Sequence, residues 1–201
     1  MSATNRGTVR NEQDYYVTPQ KTIKDFLNAF LSTELRQGLY GATILDPCAG
    51  GDLSNLMAYP TALAAYGLSV DTMDLREDSR AAVISDYLTA TVSPYSCIIT
   101  NPPYAIAIDF IEKALADVLP GGCVIMLLRI NFFGAQKRNA FFKKHMPHSV
   151  FIHSERPNFF TKEMKKERKL LGKKSGTDAT EYAHFVWQRG YTERYSKTYV
   201  I

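Results

Sequence analysis

The chain has 201 residues, which leaves room for one domain of ordinary size and excludes a second large module. Hydrophobic residues make up 45% and charged residues 22%, a globular composition that can bury roughly 70% of the unfolded surface. The net charge of +4 is unevenly spread: Lys162 to Lys174 alone carries +5 and the rest of the chain −1, so a uniformly basic protein is excluded.

After a polar arm, Thr18 and Pro19 read as the N-cap and first residue of a helix. Ile23, Phe26, Leu27, Phe30 and Leu31 give it one apolar face, and it should end near Gly38. Thr43 to Asp46 reads as a buried strand that breaks at Pro47 into a glycine loop. Pro60 should interrupt the next helix, which restarts at Thr61 and closes at Gly67 before a strand over Leu68 to Met73. Ser79 to Ile84 reads as helix and Ser85 to Tyr87 as loop. Cys97 to Thr100 is a third strand, which Asn101-Pro102-Pro103 must end, because two prolines cannot continue a central strand.

From Asp109 a helical face over Phe110, Ile111, Ala114, Leu115, Val118 and Leu119 runs to a Pro120-Gly121-Gly122 stop. Cys123 to Leu128 reads as strand, Phe132 to His145 as helix, and Ser149 to His153 and Tyr182 to Gln188 as extended. Strands alternating with helices imply an α/β fold, a mostly parallel sheet with helices on both faces. Trp187 belongs to the core, and nothing decides whether Tyr191, Tyr195 and Tyr199 pack on the body or on a partner.

Cys48, Cys97 and Cys123 have no CxxC spacing, so neither a disulfide framework nor a zinc knuckle is expected. His145, His148, His153 and His184 read as structural or surface residues, and no metal is expected. The longest apolar run, Cys123 to Leu128, is far short of the roughly 20 residues that span a bilayer. The polar start has no signal core, and the expectation is a cytoplasmic protein with no membrane contact. The oligomeric state is open.

Ligands of parallel α/β sheets bind beyond the carboxyl ends of the strands, and the unusual residues fall there. Asp46-Pro47-Cys48-Ala49-Gly50-Gly51 follows the first strand, Asp74 ends the second, and Asn101-Pro102-Pro103-Tyr104 follows the third. Glycines let backbone approach a ligand closely, and a carboxylate at the second strand's tip can accept both hydrogen bonds of a ribose diol. Methylating an exocyclic amine requires its lone pair to be aimed at an electrophilic methyl. The Asn101 side-chain oxygen and the Pro102 carbonyl can accept both amine hydrogens, and Tyr104 offers a face for a planar base.

Taken in order, Asp14-Tyr-Tyr-Val-Thr-Pro19, Ile44 to Gly51, the acid at Asp74, Asp86-Tyr87-Leu88 and Asn101-Pro-Pro-Tyr104 resemble the motifs of S-adenosylmethionine-dependent adenine-N6 DNA methyltransferases, most closely the small phage-encoded type. Leu127 to Arg138, Glu155 to Phe159 and Glu181 to Trp187 are similar to their downstream segments. The resemblance implies one Rossmann-like methyltransferase domain over residues 1–201 with a basic insertion at about 161–177, and a seven-stranded sheet whose antiparallel strand is Tyr182 to Gln188. It implies S-adenosyl-L-methionine as cofactor and DNA as partner, with RNA as the alternative.

By position, the resemblance places Tyr16 and Thr18 at the methionine end of the cofactor, the backbone of Asp46, Pro47, Cys48, Ala49, Gly50 and Gly51 along its centre, and Asp74 on the ribose. Asp86 would take its adenine amino group, with Tyr87 or Leu75 packed near that ring. Asn101, Pro102, Pro103 and Tyr104 would receive the target base. Arg129, Lys137 and Arg138, with Lys165, Lys166, Lys169 and Lys173 of the basic loop, are the expected contacts to nucleic acid.

Two features depart from the family. Asp52 stands where a second motif glycine is usual, either to meet the methionine ammonium or to cap the next segment. Only 50 positions separate Gly51 from Asn101, which leaves no room for a target-recognition domain and implies weak sequence specificity. The rival readings are the same chemistry on RNA adenine or a protein glutamine, and a catalytically degenerate binding module of the same fold.

Overall fold

The computed structural model describes residues 16–39, 41–159, 170 and 180–201. They form an eight-stranded sheet of order β3-β2-β1-β4-β5-β7-β6-β8: β1 Ile44–Asp46, β2 Asp71–Asp74, β3 Val83–Ile84, β4 Tyr95–Thr100, β5 Val118–Arg129, β6 Ser149–Ile152, β7 Tyr182–Gln188 and β8 Lys197–Val200. β7 lies between β5 and β6 and is antiparallel to both, and every other pairing is parallel. The architecture is the mostly parallel α/β sheet expected, with one strand more. β8 joins the edge beside β6, where Tyr199 stacks on Phe151 at 4.6 Å between ring centroids. An exposed short strand of this kind carries no buried run for a sequence pattern to reveal.

The central strands separate two apolar layers by simple alternation. Cys97, Ile99, Cys123 and Ile125 face the layer that holds Ile23, Phe26, Leu27 and Phe30 of α1 (Gln20–Phe30) and Tyr59, Ala62 and Leu63 of α2 (Ala58–Ala64). Ile98, Val124, Met126 and Leu128 face the other, with Phe110, Ile111 and Ala114 of α3 (Ala107–Asp117) and Phe141 and Phe142 of α4 (Asn139–Lys144). Each fully buried side chain of this size contributes about 1.5–3 kcal/mol, so the four α1 residues anchor that helix firmly. Trp187 is 1% exposed, and its indole N–H donates to the His145 carbonyl at 3.0 Å.

Several element boundaries differ from the sequence expectation. Helix α1 is capped by Pro19, and the Thr18 hydroxyl does not bond the helix end but meets Asn101 instead. Pro60 does not delay α2 to residue 61. It sits in the first turn, where its missing N–H has no intrahelical partner to lose. Helix α3 stops at Asp117, before Val118 and Leu119, because Pro120 forces the residue ahead of it into extended geometry. The expected helix over Ser79 to Ile84 is absent. Ala81 N–H donates to Ser79 Oγ and Ala82 N–H to Thr72 Oγ1, and pairing of Val83–Ile84 with β2 draws the segment into extended geometry.

The apolar layer under α1 contains a buried hydrogen-bonded chain. Tyr59 Oη lies 3.0 Å from His184 Nε2, and His184 Nδ1 lies 2.8 Å from His153 Nε2. Phe26 stacks on the His184 ring at 4.1 Å. Burial holds His184 well below the ordinary imidazole value and brings His153 down from 6.5 to about 4. On acidification the unfolded chain therefore takes up the His153 proton first, and native stability falls as pH drops from about 6.5 towards 4. The loss from His153 should be about 3 kcal/mol. Urea unfolding at stepped pH should show it, with a shallower slope in His153→Gln; an identical slope would assign the loss to other groups.

Candidate functional site

Chain order leaves β1 in opposite directions, to β2 on one side and β4 on the other, and the crevice between them opens beyond the strands' carboxyl ends. A cleft of about 1070 Å³, counting its open mouth, occupies this place. Tyr16, Thr18, Pro47, Cys48, Ala49, Asp74, Leu75, Asp86, Tyr87, Asn101, Pro102, Pro103 and Tyr104 all line it. Residues separated by up to 88 positions are thus gathered at one site.

The loop after β1 is built on its own side chains. Asp46 Oδ1 accepts from the Cys48 N–H at 3.1 Å, Ala49 N–H donates to the Met73 carbonyl at 3.0 Å, and Gly50 N–H donates to Asp74 Oδ2 at 2.7 Å. The Gly50 carbonyl accepts from Ser79 Oγ at 2.6 Å. Gly50 and Gly51 have φ of 66° and 76°, and a Cβ at Gly51 would meet Met57 Cγ at 2.9 Å and Arg80 Cβ at 3.2 Å. That conformation and that space both require glycine. Asp46, Gly50 and Gly51 lie beneath the cleft wall and shape it without lining it.

Asp46 is fully buried, and desolvation pushes its carboxyl up to about 7. Thr100 and the Cys48 N–H partly offset this, although Asp46 Oδ2 and Thr100 Oγ1 lack a partner of good hydrogen-bond geometry among the described residues, so the compensation is incomplete. Burial beside Asp46 and Asp74 also drives the Cys48 thiol well up.

Asp74 caps the second strand and accepts from Gly50 N–H and Arg76 N–H, one on each oxygen. Each oxygen keeps a second lone pair, which is what a diol would use. Asp86 Oδ1 accepts from Leu88 N–H at 2.9 Å. Tyr87 is buried, its hydroxyl donates to Asp117 at 2.8 Å, and Lys113 sits over its ring, whereas Leu75 is 64% exposed at the lip. Asp52 resolves to a cap: its carboxylate accepts from Ser54 N–H and Asn55 N–H, both at 2.8 Å, and from the Asn55 amide. Desolvation opposes those bonds, yet they hold its carboxyl below the usual range.

Asn101 is the decisive group. Its Nδ2 donates to Thr18 Oγ1 at 3.1 Å, and its Oδ1 is buried with no hydrogen-bond partner among the described residues. Leaving such an acceptor unpaired costs about 1–3 kcal/mol, a cost that a bound amine would remove. Tyr104 begins a short 3-10 turn after the two prolines, with the Arg129 guanidinium over its ring.

Of the expected nucleic-acid contacts, Lys137 is exposed. Arg138 donates from Nη1 to the Asn131 and Phe132 carbonyls and covers the Phe132 ring, which holds the side chain against its own turn. Lys165, Lys166, Lys169 and Lys173 lie outside the described residues. Sequence reasoning missed Arg76, Tyr59 and Leu56, which also line the cleft. Arg76 lies in the loop just beyond the carboxyl end of β2, the place where ligands of such sheets bind, and that position could have found it. Leu56 and Tyr59 come from a loop and a helix with no chemical signature.

No family model matches this chain, and no curated protein matches it. Its structure is similar to solved ones. A candidate class I S-adenosylmethionine-dependent methyltransferase from Listeria monocytogenes superposes with a TM-score of 0.61 at 16% identity, covering 97% of this chain and 68% of that one. The chain has the class I methyltransferase fold. A type I restriction-modification methyltransferase subunit from Streptococcus thermophilus shares that fold with a TM-score of 0.59 at 12% identity, over 92% of this chain and 47% of that one. So does the T. thermophilus 16S rRNA N2 G1207 methyltransferase, solved with AdoMet and guanosine (TM-score 0.52, 16% identity, 92% and 45% coverage). The chain spans under half of the last two. Among its described residues, no helix of this methyltransferase fold is long and apolar enough to cross a membrane.

Proposed function

We propose that this chain transfers the methyl group of S-adenosylmethionine to the exocyclic amino group of an adenine flipped out of DNA. The observation that carries this reading is Asn101, which lines the cleft together with Pro102 and Tyr104 and whose buried Oδ1 has no hydrogen-bond partner among the described residues. That oxygen and the Pro102 carbonyl are two acceptors that can take both amine hydrogens and aim the nitrogen lone pair. The cleft residues fit the cofactor as well: the Pro47, Cys48 and Ala49 stretch of the loop for its centre, the Asp74 carboxylate for the ribose diol, Asp86 for the adenine amino group and the exposed Leu75 for its ring.

The cofactor supplies an already electrophilic methyl, so the protein's work is to place the amine and stabilise charge. Asn101 Oδ1 and the Pro102 carbonyl would hold the two amine hydrogens and bind them more strongly as the nitrogen gains positive charge from the incoming methyl, with one of those protons passing to solvent once the neutral thioether has left. The Asn101 Nδ2 donates to Thr18 Oγ1, which leaves Oδ1 for the role assigned to it here. Tyr104 stacking offsets part of the few kcal/mol spent on extruding the base. The solved structures of the same fold include a restriction-modification subunit and an rRNA enzyme, which supports a nucleic-acid substrate.

Calorimetric titration with S-adenosylmethionine, followed by tritiated methyl transfer to DNA, RNA and protein in parallel, tests the reading. Tight cofactor binding with label in DNA is expected. Label confined to RNA or protein would redirect the assignment, and cofactor binding without transfer to any of them would make the chain a binding module.

A further inference from the structure

The Tyr104 ring is held from behind by two residues that face each other across the sheet. Arg129 ends β5 and stands in register with Tyr182, the first residue of β7. The Arg129 guanidinium carbon lies 5.3 Å from the Tyr104 ring centroid, and the Tyr182 ring lies 6.1 Å away, tilted by 44°. Phe159 packs on Tyr182 at 5.0 Å and backs the assembly. Tyr104 lines the cleft, and Arg129 does not.

Arg129 also carries an orphan. Its Nε is buried with no hydrogen-bond acceptor among the described residues. A phosphate-binding arginine presents its planar fork of donors to solvent or to oxygen acceptors. Here the guanidinium is turned to an aromatic face, where a cation–π contact and an N–H···π contact are the compensation available.

We propose that Arg129 is a positioning residue for the target base: it fixes the plane of the Tyr104 ring and acts on the substrate through that ring, not through a phosphate. The inference rests on reading the cleft as an adenine methyltransferase site. A base stacked on a ring of fixed plane presents its amine along one line to the methyl group, whereas a loosened ring lets the amine drift from it. Small misplacements of reacting atoms cost rate more than they cost binding. Arg129 therefore governs turnover on bound DNA.

The test compares Arg129→Met, Arg129→Lys, Tyr104→Leu and the Met/Leu double variant in steady-state methylation of DNA, with melting temperature and cofactor affinity as folding controls. Arg129→Met is expected to lower kcat about tenfold, the scale of a partly desolvated cation–π contact. KM for DNA and the salt slope of DNA binding should hardly change, and the loss should vanish when Tyr104 is already Leu. Arg129→Lys keeps the charge but not the flat face, so it should lose most of the same factor.

Wild-type kcat in Arg129→Met, full rescue by Lys, a tenfold loss that persists beside Tyr104→Leu, or a salt slope smaller by about one, as a phosphate contact would give, each overturns the inference. If Arg129→Met fails to fold, the Lys variant decides alone. A wild-type protein that methylates no adenine would sink the underlying reading and this inference with it. An active wild type with an unimpaired Arg129 variant sinks only this one.

Discussion

Asn101→Ala should lower methyl transfer by about 100- to 1000-fold, the range seen when one preorganised hydrogen-bonding group is removed from a charge-developing site. Its Oδ1 spends nothing on the resting protein, since no described residue bonds it, so its whole capacity is available to the reacting amine. The loss should fall on kcat, because the acceptor gains strength only as the nitrogen becomes positive. Cofactor affinity should stay within about threefold of wild type, a difference under 1 kcal/mol. The fold should tolerate the change, which removes a single neutral hydrogen bond to Thr18. Single-turnover transfer with saturating cofactor measures the effect, and a near wild-type rate would remove Asn101 from the mechanism.

Asp74→Ala should act on the other half of the site. Its carboxylate already receives Gly50 N–H and Arg76 N–H, and the remaining lone pairs are those assigned to the ribose diol. Hydrogen bonds to a charged group contribute about 1.5–3 kcal/mol each, so the dissociation constant for S-adenosylmethionine should rise roughly 100-fold. Part of that rise has an indirect origin, because freeing Gly50 N–H loosens the loop that approaches the ligand. Melting temperature should drop as well, since two buried N–H donors lose their acceptor. Calorimetry shows which applies: unchanged cofactor affinity in a folded Asp74→Ala protein would mean that the carboxylate serves the loop alone.

These two residues were legible in the sequence for the same reason. Each stands at the carboxyl end of a strand expected from the sequence, and parallel α/β sheets place such ends together, so Asp46, Asp74 and Asn101 could be put at one site without coordinates. The buried strands β4, β5 and β7 were legible too, because continuous apolar runs have few other uses. The errors came where side chains replace backbone patterns. The stretch 79–84 has helix-compatible composition, but Val83–Ile84 pairs with β2 and Ala82 N–H bonds Thr72, and no local pattern announces a partner ten residues back. The strand β8 was invisible for the opposite reason: an exposed edge lacks alternation, and its anchor is a stack on Phe151 that only the tertiary fold supplies.

In the function proposed here, Asn101 and its neighbours deliver an adenine amine to a cofactor held by Asp74 and the β1 loop. The most direct measurement is to incubate unmethylated DNA with the protein and labelled S-adenosylmethionine, digest it to nucleosides and separate them. The label should sit in N6-methyldeoxyadenosine, and it should be absent from an Asn101→Ala sample that binds cofactor normally. Label in any other nucleoside, or DNA left unlabelled by a wild-type protein that binds the cofactor, would contradict the account.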